Sequence, residues 1–343
     1  MLLVLLIAIF LLSLYQVKFK IRGFHDDYLS KSKTDSVKGI FILLIVLTHS
    51  MQYFAPCGYA YHSVGDTAFM WFTYHLSQLV VVMFLFYSGY GVSESFKKKG
   101  MPYVKAMPRH RLLTTLLNFD VAVLSFIILG FALGLSFTLK QCLLAFTGWV
   151  SVGNSNWYIF VILLCYLMTF ISLRLDIKNP SLRVALVTAL CAGCVLILSL
   201  YRQSWWFNTL LCYPAGFAFS TYKDSLEPSL KKYYWLFLSL MAIAFILLFS
   251  HANDRFGLSY NLLSIIFASL IVLLTMKCGI GNSVLEWFGK HLFPVYIYMR
   301  LPMMFMEHKT PALIASQPAL FVLISLALTI LIAHLYHFWQ IKL

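Results

Sequence analysis

The stretch DSVKGIFILLIVLTHS, Asp35–Ser50, sets a lysine and a histidine eleven residues apart in an otherwise apolar run. At ~100° and ~1.5 Å per residue, that separation is about three helical turns plus 20° and a rise of roughly 16 Å. Lys38 and His49 therefore share one face of a helix. A neutral imidazole is poised to take a proton near physiological pH, and an ionisable group at depth in an apolar run is a functional candidate by default. His49 is thus a candidate general base, the alternative being a hydrogen-bonded structural histidine near an interface. Lys38 is read as a group at the helix boundary, where a flanking lysine also fixes orientation, and Asp35 is expected to cap the helix start. Arg300 lies inside another apolar run, where a cation needs a partner or a watery cavity. The seven cysteines show no metal-ligand spacing supported by histidines. Cys191 and Cys194 fall inside an apolar run and read as core residues, whereas Cys57 and Cys142 fall on the same predicted side and could be bridged.

The elements that must hold these groups are membrane helices. The chain of 343 residues is 61% hydrophobic and only 11% charged, with a mean hydropathy of +0.83, outside the range of soluble domains. Its net charge of +14 does not indicate nucleic acid, because the basic residues sit in short loops rather than on one hydrated face. Runs of the roughly 17–25 residues that span a ~30 Å hydrocarbon core fall near 1–17, 36–54, 69–92, 112–135, 157–173, 184–201, 205–222, 233–250, 258–276, 288–306 and 318–338. An all-α integral membrane protein with 10 or 11 transmembrane helices is expected. With the N-terminus outside, only Lys140, Arg202, Arg255 and Lys309 fall on the outer side, and every lysine and arginine but these and Arg300 falls inside. That asymmetry predicts an external N-terminus and a cytoplasmic C-terminus. The first run, MLLVLLIAIFLLSLYQ, is followed rather than preceded by basic residues and reads as a retained anchor. Residues 1–35 are accordingly an anchor helix with a basic cytoplasmic linker, and 36–343 a transmembrane domain. The polar stretch 137–156, which includes TGWVSVGNSN, reads as an outer loop or a re-entrant piece packed against protein.

The motifs fall in a family order. Asp35, Lys38, Gly39 and His49 resemble the signature of the acyltransferase-3 family of multi-pass membrane acyltransferases, in which a basic residue precedes a histidine by eleven positions. FLFYSGYGV (84–92), YVKAMPRHRLL (103–113), NWYIFVILLCYL (156–167) and WFGKHLFPVYIYMRLP (287–302) are similar to its later motifs and carry the resemblance over most of the chain. Two positions depart from the pattern. Arg109 and Arg111 stand two apart where the family has arginines three apart, and Met299 or Arg300 stands where it has a histidine. No fused extracytoplasmic esterase-like domain is seen after the last run, so a stand-alone member is expected.

The resemblance implies transfer of an acyl group, usually acetyl, from acyl-CoA to a carbohydrate hydroxyl at the cytoplasmic membrane. Acetyl-CoA or another acyl-CoA would be the donor substrate, a glycan the acceptor and the bilayer the surroundings, with no permanently bound cofactor, no metal and no nucleic acid. His49 would be the catalytic base, although a covalent acyl intermediate on a histidine or serine is an open route. Lys38, Lys105, Arg109 and Arg111 would hold the donor's phosphates, which guanidinium forks suit. Asn156, Trp157 and Tyr158 could hydrogen-bond and stack on a sugar, His75 could be a second acid, and Arg300 could hold an acceptor carboxylate, stabilise an oxyanion or sit in a structural ion pair. The same polar helices could instead line a translocation path for a glycan or small solute through Lys38, His49 and Arg300. The chain shows no paired repeats with matching broken helices, which favours the enzyme.

Overall fold

The apolar runs fold as helices throughout the computed structural model, which describes residues 2–61, 63–250 and 257–343; Arg255, counted on the outer side, lies outside them. From the N-terminus, α1 (Leu2–Leu14) leads through an extended linker into α2 (Lys31–Ser50) and a 3-10 turn, Met51–Tyr53. α3 (Val64–Leu76), α4 (Leu79–Lys99) and α5 (Met101–Met107) follow, and a π-helical turn, Pro108–Leu113, joins α5 to α6 (Thr114–Ala132). Short α7 (Leu139–Phe146) precedes a polar loop, then come α8 (Trp157–Arg174), α9 (Pro180–Tyr201), α10 (Cys212–Lys232), α11 (Tyr234–Phe249) and α12 (Leu258–Lys277). The chain ends in α13 (Ser283–Lys290), α14 (Leu292–Tyr298), α15 (Arg300–Lys309), α16 (Pro311–Ser316) and α17 (Pro318–Leu335). Lys18–Phe19 pairs antiparallel with Cys278–Gly279, and Lys277 Nζ donates to the carbonyls of Ile21 and Gly23 at 3.1 and 3.0 Å, tying the linker to the end of α12.

Among the described residues seven helical stretches are long and apolar enough to cross a membrane, and the pair α10–α11, bent by 98°, makes an eighth. The protein is an all-α membrane protein, and the other expected spans are present as shorter pieces. The run near 1–17 forms the 13-residue α1. The run near 288–306 is punctuated twice, and the cause is local. Proline lacks an N–H and clashes with the carbonyl four residues back. Pro294 and Pro302 place that conflict at Lys290 and Tyr298, the residues where α13 and α14 end. The expectation that Asp35 caps α2 is corrected: the helix begins earlier, with Ser30 as N-cap accepting from Lys33 N. Ser caps as well as Asp does, and the polar turn Lys31–Thr34 extends the helix beyond its apolar part.

α2 and α4 are the inner helices, buried along most of their length. In a membrane, apolar side chains give no hydrophobic drive to helix association, so close backbone approach at small residues matters more. Two crossings use reciprocal glycines. Where α2 meets α13, a Cβ on Gly39 would lie 2.0 Å from Leu285 O and one on Gly289 1.8 Å from Asp35 O. Where α4 meets α10, a Cβ on Gly89 would lie 1.9 Å from Tyr213 O and one on Gly216 1.9 Å from Phe86 O. These crossings set the helices whose ends build the site.

Candidate active site

The C-terminal end of α2 opens onto a cavity of about 440 Å³, within the size range of small-molecule sites. Ile45, Thr48, His49 and Gln52 line it at the i, i+3, i+4, i+7 spacing of a single helix face. The opposite walls come from three breaks in helical structure. One is the Ser77–Gln78 junction between α3 and α4, where Ser77 holds φ at +36°, a conformation that costs a non-glycine residue of order 1–3 kcal/mol. The second is the polar loop after α7, which contributes Ser151 and Asn154–Trp157. The third is the proline-punctuated stretch, from which Tyr296 and Arg300, one turn apart, face inward.

The polar loop is held firmly. Arg202 Nη2 donates to Trp149 O at 2.6 Å, and the guanidinium lies 3.5 Å from the Trp149 ring centroid and 4.4 Å from that of Trp206. Asn156 Nδ2 donates to Gly148 O at 2.8 Å, and Asn154 Oδ1 accepts from Val152 N at 3.0 Å. The lining is polar on every side. His49 Nδ1, Gln78 Oε1 and Asn154 Nδ2 are enclosed with no hydrogen-bond partner among the described residues, and the Tyr296 and Ser155 side chains interact with each other. Thr48, His49, Gln52, Ser151 and Arg300 bring further polar side chains to the walls, a lining that fits a hydroxyl-bearing ligand.

The electrostatics are one-sided. Arg300 Nε donates to the buried Tyr53 Oη at 3.1 Å, while neither Nη group bonds to any described residue. Among the described residues no lining side chain is acidic. Tyr53 follows His49 by four residues, so one turn of chain holds both the imidazole and the phenol that orients the guanidinium. With Nδ1 of His49 enclosed, Nε2 is the ring nitrogen left for the cavity.

The candidate residues divide into two groups. His49, Asn156, Trp157 and Arg300 meet in the cavity. Tyr158 lies behind it, with its ring 5.9 Å from Trp157 and 5.4 Å from Tyr296, and so packs the wall rather than forming it. His75 is elsewhere: its ring stacks on Phe249 at 5.6 Å and its Nδ1 contacts Trp71 O. Lys38 is paired with Asp35 at 2.6 Å and is not among the lining residues. Of the basic stretch, Lys105 and Arg109 are exposed, whereas Arg111 is half-buried with its guanidinium 5.7 Å from the Tyr166 ring. Two residues apart on a helix means opposite sides, so Arg109 and Arg111 do not act as one fork. α4 starts at the cavity and ends at Lys97–Lys99, roughly 30 Å away, which puts that lysine run at the far end of the bundle. Cys57 and Cys142 are both free thiols. Tyr53, Gln52, Gln78, Ser155 and Tyr296 were not singled out from sequence, although the helical spacing of Gln52 and Tyr53 from His49, and of Tyr296 from Arg300, would have located three of them.

A histidine and an arginine in a polar cavity inside an apolar helical bundle define a membrane-embedded site suited to moving a proton beside a developing charge. The family model described as an acyltransferase domain, that of the acyltransferase-3 group, matches residues 33–337. The chain belongs to that family and is a multi-pass membrane acyltransferase. No curated protein and no solved structure matches it significantly.

Proposed function

We propose that the protein moves an acyl group, acetyl in the first instance, from cytosolic acyl-CoA to a hydroxyl of a cell-surface glycan or its precursor. The observation that carries the reading is His49, in a chain of this family, with one ring nitrogen enclosed and the other facing a polar cavity. In the proposed reaction His49 Nε2 takes the proton of the acceptor hydroxyl as its oxygen attacks the thioester carbonyl. The tetrahedral intermediate then collapses, the C–S bond breaks, and the leaving thiolate recovers the proton from the imidazolium as free CoA. Ester and thiol are the products, and no enzyme nucleophile is needed.

Asn156 and Trp157 supply an amide and an aromatic face to the sugar, with Tyr158 packed behind them. The donor's phosphates are proposed to rest on Lys105, Arg109 and Arg111 with Lys38 toward the other end of α2. The roughly 16 Å of helix from Lys38 to His49 is within the reach of an extended pantetheine arm, on the order of 15–20 Å. The basic asymmetry of the loops supports a cytoplasmic-membrane location with the N-terminus outside, so that the cavity lies toward the outer face.

The test uses membranes holding the full chain, supplied with labelled acetyl-CoA and cell-envelope glycan. His49→Ala and His49→Gln are expected to lower transfer by roughly 10²–10⁴-fold while the protein still accumulates and melts normally. Undiminished transfer in both variants refutes the role of His49. Mass spectrometry of surface glycans from cells with and without the protein should show an acyl increment; identical spectra refute the glycan assignment.

A further inference from the structure

We propose that the acceptor carries an anionic group, a carboxylate or a phosphate, and that Arg300 is its receptor. The proposal rests on the acyl-transfer reading of the same cavity and narrows its substrate class.

Arg300 is a cation in the interior of a membrane bundle, and such a charge is costly unless it is paired or hydrated. The Tyr53 hydroxyl at 3.1 Å satisfies only Nε. A phenol orients a guanidinium without neutralising it. The nearest acid on the same helix, Glu307, is seven residues on, about 10 Å along the axis; its charge is felt at Tyr53, but it makes no ion pair with Arg300 among the described residues. Asp35 is engaged by Lys38, and Glu94 by Lys97 and Ser220. Among the described residues the walls of the cavity contain no carboxylate. The two Nη groups therefore present an unneutralised fork to the cavity, and a planar oxyanion accepts both N–H donors of such a fork in parallel.

The rest of the lining fits the remainder of an acidic sugar. Asn154, Ser155 and Tyr296, almost fully buried with relative exposures of 2–3%, form a fixed polar wall, and Thr48, Gln52 and Ser151 add hydrogen-bonding side chains to the lining. Trp157 and Trp205 give it aromatic surface. A neutral sugar would use those groups and leave the guanidinium unpaired. An oxyanion formed only in the transition state would leave it unpaired through the rest of the cycle. A resident anionic substituent answers it in the bound ground state, and its fixed distance from the reacting hydroxyl would place that hydroxyl at His49. Tyr53 is then a positioning residue, holding the fork one helical turn from the base.

The experiment measures binding first, so that it reads the anion site independently of chemistry. Purified full-length protein is titrated by calorimetry with glucuronic acid, glucose 6-phosphate and methyl glucoside as carboxylate, phosphate and neutral probes. At least one anionic probe should bind about 10-fold or more tightly than the neutral one, and the preferred arm identifies which anion the site takes. Arg300→Gln should abolish that preference without changing affinity for methyl glucoside. Arg300→Lys, which keeps the charge but not the fork, and Tyr53→Phe should each reduce it partly. Equal binding of all three probes to the wild type, or a preference that survives Arg300→Gln, overturns the proposal. In transfer assays Arg300→Gln should raise KM for an acidic acceptor about 10- to 100-fold. A fall in kcat shared by every acceptor and by water would instead make Arg300 an oxyanion stabiliser and overturn the receptor role. Wild-type protein that binds acidic sugars through Arg300 but never consumes acyl-CoA would refute the acyl-CoA reading and leave the anion site standing.

Discussion

Gly89 and Gly91 stand two residues apart on α4, in the same FLFYSGYGV motif, and the structure assigns opposite outcomes to the same substitution. A methyl at Gly89 would lie 1.9 Å from Tyr213 O, and real Cβ atoms essentially never approach closer than 3.0 Å, whereas a methyl at Gly91 meets nothing within 4 Å. Gly89→Ala must therefore part α4 from α10 by about 1.1 Å at a buried crossing. The obstacle is backbone rather than a flexible side chain, so the cost should sit at the upper part of the ~1–3 kcal/mol range for overpacking. Gly91→Ala removes a helix-interior glycine at no steric cost and should stabilise by about 0.5–1 kcal/mol. At roughly 2–4 °C per kcal/mol, detergent-solubilised variants melted side by side should differ by about 5 °C or more, with wild type between them. Because the first turn of α4 lines the cavity, Gly89→Ala should also lower acyl transfer and Gly91→Ala should not. Equal melting temperatures for the two variants would refute the reciprocal-glycine crossing as the constraint on α4.

Two further outcomes follow from the site's supports. Arg202→Ala removes a charged hydrogen bond and two ring contacts from the polar loop, and should cost about 2 kcal/mol and raise KM for the acceptor while KM for acyl-CoA holds; limited proteolysis within 147–156 that is no faster than in wild type would count against it. Arg111→Ala should raise KM for acyl-CoA several-fold with kcat little changed, Arg111→Lys should recover part of the loss, and the difference from wild type should shrink as salt screens the phosphate contact; a salt-independent defect would assign Arg111 to packing against Tyr166.

The parts of the architecture that could be read from sequence are those governed by local periodicity. The face bearing Ile45, Thr48, His49 and Gln52 follows from 3.6 residues per turn, and so does the separation of Arg109 from Arg111 onto different sides. Hydropathy alone placed one span near 288–306, because it averages over Pro294 and Pro302 and is blind to the carbonyl conflict four residues behind each. The pairing of Tyr53 with Arg300 spans most of the chain, and no local rule reaches it. The cavity itself is made where helices end or begin, α3 ending before Ser77, α8 beginning after Asn156 and α14 ending before Met299, and a count of apolar windows sees only where helices run.

The glycine crossings and the cavity belong to one design. α2 is fixed in its first half, where Gly39 and Gly289 bring its backbone against α13, and α4 is fixed midway, where Gly89 and Gly216 bring it against α10. Each helix carries a cavity wall at one end, His49 on α2 and the Gln78–Val81 turn on α4. A helix held by backbone contact has little freedom to slide or rotate, since either motion drives a carbonyl into the neighbouring chain. The angular position of His49, and through Tyr53 that of Arg300, is thereby set about 15 Å away by residues with no side chain.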